Sequence, residues 1–170
     1  MNFYEKLSGR IHIRDIHEVL LYVEGNNERK QKLYELACHK EDTVAYHALW
    51  VFTHFDQKES EWLAAKQDEL IDSVLQCEHP GKRRLLLNIL FKQTFANPPR
   101  VDFLDFCLKR MLSKEELPGV QSLCMKLAYA LCRTIPELLQ EFKATLDIME
   151  TDLLPTSMRT VRKNVLKAMN

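Results

Sequence analysis

The chain reads as an all-α protein built of repeated helix pairs, and three observations carry that expectation. A shift of 38 residues aligns His47, Leu85, Leu123 and Val161, then Val51, Ile89, Leu127 and Val165, then Phe52, Leu90, Ala128 and Leu166. The segments between them obey the same shift, through Leu63, Val101 and Leu139, Leu70, Leu108 and Leu146, and Leu36, Val74 and Leu112. Two apolar faces per period, each at helical spacing, describe a helical solenoid. Second, there are only four glycines, and the six prolines fall at seams, which leaves long stretches suited to helices. Third, hydrophobic residues make up 46% and charged residues 28% of the 170, ordinary usage for a chain that buries a core without staples.

The elements follow in order. A first helix is expected over 10–23, with Ile13, Ile16, Val19, Leu20 and Val23 on one face and Gly25 ending it. It does not match the repeat, so residues 1–27 read as a cap over the end of the core. A second helix over 28–39 leads into a third over 42–55, rich in Val44, Ala48, Leu49, Val51, Phe52 and Phe55. The fourth, over 59–77, is amphipathic through Trp62, Leu63, Leu70, Ile71 and Val74. Pro80 opens the fifth, which runs to near 95, where Asn97, Pro98 and Pro99 break the chain. The sixth ends near 112, Pro118 begins the seventh, Pro136 the eighth, and the last covers 156–169. The expected total is about nine helices in a single domain of 170 residues, with the helix pairs over 28–170.

Three passages carry a family resemblance. CEHPGKRRLLLNILFK, ELPGVQSLCMKLAYAL and LLPTSMRTVRKNVLKAM resemble the junctions of HEAT-like repeats, where one unit's second helix ends in an acidic, proline-containing corner. The resemblance covers residues 28–169. It implies a right-handed α-α superhelix of armadillo type whose usual role is protein binding. The 38-residue period is a little shorter than usual for such repeats.

Charge narrows the classes of function. Lysine plus arginine total 24, as do aspartate plus glutamate, so the chain lacks the basic excess of a dedicated nucleic-acid binder. Locally the balance is uneven. Lys82, Arg83, Arg84, Lys92 and Arg100 follow one another without an acid, and Arg159, Arg162, Lys163 and Lys167 crowd the last helix. If these shared a face they would form a basic strip, although the 38-residue shift sets Arg83 and Arg159 in register with Gln121, which interrupts it. Because HEAT-like proteins include glycosylases of alkylated DNA, nucleic acid is the alternative partner to a protein or peptide. The candidate contact residues are Trp62, with Glu61, Lys66 and Glu69 around it, and Arg83, Arg84, Arg159, Arg162 and Lys163.

No reaction or cofactor is expected. The chain has no GxSxG, HExxH, Walker loop or GxGxxG. His47 stands in an apolar column, where a buried ring with one hydrogen bond is the expectation. Of the five cysteines, which include no CxxC pair, most fall on the apolar faces of the expected helices and read as small hydrophobes, and no metal site is expected. The start of the chain lacks the pattern of an export signal and no run of about twenty apolar residues occurs, so the expected compartment is the cytoplasm.

Overall fold

The computed structural model describes residues 1–170 and contains eleven α-helices, one short 3-10 turn and no strand. The chain forms two compact units, Met1–Gln93 and Thr94–Asn170.

The first unit holds α1 (Phe3–Ser8), α2 (Ile13–Val23), α3 (Asn27–Ala37), α4 (Asp42–Thr53), α5 (Gln57–Ala64), α6 (Gln67–Gln76) and α7 (Pro80–Phe91). α4 is its hub, packing on α7, α3, α2 and α1, while α6 packs on α7. Val44, Ala48, Val51 and Phe52 of α4 are buried, as are Leu33 of α3, Val74 of α6 and Leu87 of α7. Local chemistry starts these helices where they start. Asn2, Asn26 and Asp56 accept from the backbone N–H three residues on, at the entries of α1, α3 and α5. At α7 the His79 ring does the same through Nδ1, 3.1 Å from the Lys82 N–H, ahead of Pro80 at the first helical position. Gly81 completes this corner. A Cβ there would lie 3.0 Å from the His79 ring and 3.1 Å from the Tyr46 ring. Gly25, at φ +70, supplies the left-handed residue between α2 and α3.

A buried ion pair ties this corner to α5. The Lys30 ammonium meets the Glu59 carboxylate with both side chains almost fully enclosed, and the other Glu59 oxygen accepts from Gly25 N–H at 3.1 Å. A charge removed from water is tolerated only when it is paired and hydrogen-bonded in this way.

The second unit holds α8 (Val101–Leu112), α9 (Pro118–Cys132), α10 (Pro136–Asp147), the 3-10 turn (Thr151–Leu153) and α11 (Thr156–Ala168). α9 is the hub here, packed on α8, α11 and α10. Its core is apolar and soft: Phe103, Cys107 and Met111 of α8, Cys124, Met125, Leu127 and Cys132 of α9, Phe142 and Leu146 of α10, and Met158 of α11.

The period of the sequence is visible in both units, with one correction. Asp42, Pro80, Pro118 and Thr156, the first residues of α4, α7, α9 and α11, stand 38 residues apart, and the Val51, Ile89, Leu127, Val165 column is buried throughout. The columns assigned to the alternate helices slip. Val101 is 79% exposed and Leu112 51% exposed, while Phe103, Cys107 and Met111 take the inward positions. Cys107 therefore replaces Leu108 as the partner of Leu70 and Leu146, a shift of one residue. One residue is about 100° around a helix, enough to turn a side chain from core to solvent.

The helix count is also refined. α1 precedes the expected first helix, and the expected fourth helix is two helices, broken at Ala65 and Lys66. No proline or glycine marks that break.

Candidate partner-binding site

Three groups of side chains qualify for contact with a partner, and the structure separates them clearly. The first is the neighbourhood of Trp62. Its indole stacks on Phe52 with centroids 6.4 Å apart and planes within 6°, and meets the edge of Tyr34 at 6.1 Å. The helix break at Lys66 brings that ammonium over both the Tyr34 ring, at 4.7 Å, and the Trp62 ring, at 5.1 Å. Tyr34 O–H donates to Glu69 at 3.0 Å, and burial first, then this bond to a carboxylate, raises the phenol's pKa. Trp62, Lys66 and Glu69 thus come together around Tyr34, a residue the sequence did not single out, while Glu61 stays exposed on the outer side of α5. Tyr34, Glu69 and Lys66 are thus engaged with one another and with the Trp62 ring inside the unit.

The second group is the cations. Arg83 is a correction: it is only 6% exposed, and its guanidinium donates to the Cys77 carbonyl at 2.8 Å, at the C-terminal end of α6. Free carbonyls and the negative end of the helix dipole hold it there. Gln121, its counterpart one period on, donates to the Ser113 carbonyl at the end of α8 at 2.7 Å. Arg162 likewise gives its Nε–H to the Leu146 carbonyl near the end of α10 at 2.8 Å. Lys82 pairs with Asp42 at 2.6 Å. Arg84 in one unit, and Arg159 and Lys163 in the other, are exposed. His47, by contrast, sits half-buried with Nδ1 bonded to the Leu7 carbonyl at 2.7 Å, a packing role.

The third group was not read from the sequence. In the second unit the corner after α8 and the corner before α11 lie side by side and enclose an open cleft of about 550 Å³. Met111, Leu112, Met149, Leu153 and Leu154 give it an apolar wall, with Gln121 and Glu116 as polar points. Glu116 is buried and neutralised by Arg110 at 2.9 Å, whose guanidinium also lies over the Phe106 ring. Around the cleft the exposed apolar surface is unusually dense: Leu112 is 51% exposed, Leu117 63%, Leu153 75% and Ile148 81%. Scattered surface leucines need no explanation, but a grouped set beside a concavity is the pattern of a contact site. A signal did exist in the sequence. Leu112, Leu117, Ile148 and Leu153 all fall in or beside corners, where apolar side chains have no helix face to join.

No side-chain group in either unit has the geometry of a metal centre, with three or more His, Cys, Asp or Glu gathered together. No helix is long and apolar enough to cross a membrane. Comparison with known families gives one result: the profile of the HEAT repeat domain matches residues 3–169. No curated protein and no solved structure matches the chain.

Proposed function

Because this chain belongs to the HEAT repeat family, we propose that it is a non-enzymatic scaffold that recognises a protein or peptide partner. Stacked helix pairs leave their corners and flanks available, and binding is the usual role of such arrays. The observation that carries the reading is the leucine-rimmed cleft of the second unit, where Leu112 and Leu153 stay exposed beside a concavity. Interfaces of this type gain most of their energy from a few anchors seated in desolvated pockets. The five free thiols fit a reducing compartment, and we assign the protein to the cytoplasm.

The test compares the intact chain with a double variant, Leu117→Asp and Leu153→Asp, as immobilised baits in extract from the source cells. Both positions are exposed, so the variant folds, which circular dichroism checks. A protein held by the intact chain and lost with the variant, then shown to bind in purified form by calorimetry, supports the scaffold. Identical retention by both baits removes the cleft from it.

Nucleic acid is the second reading, drawn from α11, which carries Arg159, Arg162, Lys163 and Lys167 and no acid. Arg162 is occupied by the Leu146 carbonyl, which thins that face. A titration of labelled duplex at several salt concentrations decides it, since phosphate contacts make affinity fall steeply with salt. Absent or salt-independent binding discards this alternative.

A further inference from the structure

The charges around the cleft say what its occupant looks like. Asp147, Glu150 and Asp152 follow one another through the corner before α11, and Glu115 stands in the corner facing it. All four are exposed, and none forms an ion pair or a side-chain hydrogen bond within the fold. Lys114 is the one cation lining the cleft. Asp102, Asp105 and Glu116 of the same unit, by contrast, are each paired with an arginine or a lysine. Glu150 lines the apolar concavity itself, and Glu115, Asp147 and Asp152 lie beside its lining residues in the two corners, so a greasy centre has acidic surroundings.

Resting on the scaffold reading above, we propose that the cleft of the second unit takes an amphipathic helical segment of a partner protein, with large aliphatic anchors on one face and lysines or arginines beside them. The anchors enter between Met149, Leu153 and Leu112, and the basic flanks meet Glu150 and Asp152 on one side and Glu115 on the other. The volume suits this occupant, since about 550 Å³ lies within the usual range of specific sites and accommodates several aliphatic side chains. The methionines suit it as well, because an unbranched, polarisable side chain adapts to anchors of differing shape. Charge complementarity at the rim sets orientation and speeds encounter, while the apolar anchors hold the complex. An acidic partner, such as a phosphate backbone, is repelled at this site.

The test uses fluorescein-labelled helical peptides with leucines at i, i+3, i+4 and i+7, one carrying lysines beside the leucines and its twin carrying glutamates. With the intact chain, fluorescence anisotropy shows saturable binding of the lysine peptide. The glutamate twin binds at least about tenfold more weakly, and added salt narrows the difference. Glu150→Lys with Asp152→Lys reverses the preference, and Leu153→Asp abolishes binding of the lysine peptide. All these residues are exposed, and an unchanged thermal melt confirms that the variants fold.

Equal affinity for the two peptides, an unaltered preference in the charge-reversed variant, or binding of neither peptide overturns the proposal. So does capture of phosphatidylcholine vesicles in place of either peptide. The two levels separate cleanly: a purified partner that depends on Leu117 and Leu153 but ignores the rim charges leaves the scaffold standing and removes the basic helix.

Discussion

The first unit is stitched by polar chemistry and the second is filled by soft apolar packing. All six histidines and both tryptophans lie before residue 93, and there the unit closes on itself through Lys30 with Glu59, Tyr34 with Glu69, Lys66 over two rings and Arg83 on the end of α6. Beyond residue 94 the core is carried by Phe103, Phe142, Leu127 and a set of cysteines and methionines, while four carboxylates and four large aliphatic side chains at the corners stay without partners. A polar group that has found its partner inside the fold contributes to stability and offers little to a ligand. One that has not is available for recognition. The contrast places the buried ion pair and the aromatic cluster in the first unit and the leucine-rimmed cleft in the second.

The comparison breaks most visibly at the buried ion pair. Lys30→Met leaves the Glu59 carboxylate enclosed without its cation, and unfolding by urea is expected to show a loss of about 3–5 kcal/mol. Adding Glu59→Leu recovers most of it, because an apolar pair of similar volume avoids the desolvation cost. Failure of the second change to rescue would show that Glu59 serves mainly through Gly25 N–H.

In the second unit the same scale of loss needs a cavity. Phe142→Ala is expected to cost about 3–5 kcal/mol by denaturant titration, since Phe142 is fully enclosed by its neighbours. A much smaller loss would mean that neighbouring side chains collapse into the space.

Alkaline pH tests the thiols of the second unit's core. Burial raises the Cys132 thiol from 9.0 to about 11, with the Glu141 charge adding to it. Cys107 is raised as well, by burial first and by its bond to Cys124. The folded state keeps these protons to higher pH than the unfolded chain does. Stability is therefore steady below about pH 9 and falls as pH climbs from 9 toward 11. Cys132→Val flattens part of that fall in melts recorded across this window.

Smaller effects belong to single polar contacts of the first unit. Tyr34→Phe removes the bond to Glu69 and keeps the ring stack, for an expected loss of about 1 kcal/mol. Asp42→Asn, which ends an exposed contact with Lys82, leaves the denaturation midpoint almost unmoved. A large effect there would mean that the α4 to α7 contact depends on charge.

Much of the frame is legible in the sequence. Pro80, Pro118 and Pro136 start helices because a proline ring suits the first turn, and the Val51, Ile89, Leu127, Val165 column is buried because apolar side chains at helical spacing must meet a neighbour. The 38-residue columns missed the slip at α8, whose buried face against α9 is the stripe Phe103, Leu104, Cys107 and Met111 at helical spacing. Among the site residues, Trp62, Lys66 and Glu69 were found together, yet what gathers them is Tyr34 and an unsignalled helix break. Arg83 misled because a triplet of cations reads as surface. Its register with Gln121 was the better clue, since both long side chains reach back to the carbonyls that end the preceding helix.

By itself the sequence determined that the chain is helical, repeated at 38 residues and a member of a repeat family, because periodicity is a property of the chain alone and each unit need only shield the next. Only the tertiary structure decided which charges are spent and which are free. That distinction depends on distances between residues far apart in sequence, such as Lys30 and Glu59 or the corners at 113–117 and 148–155, and no local pattern encodes them.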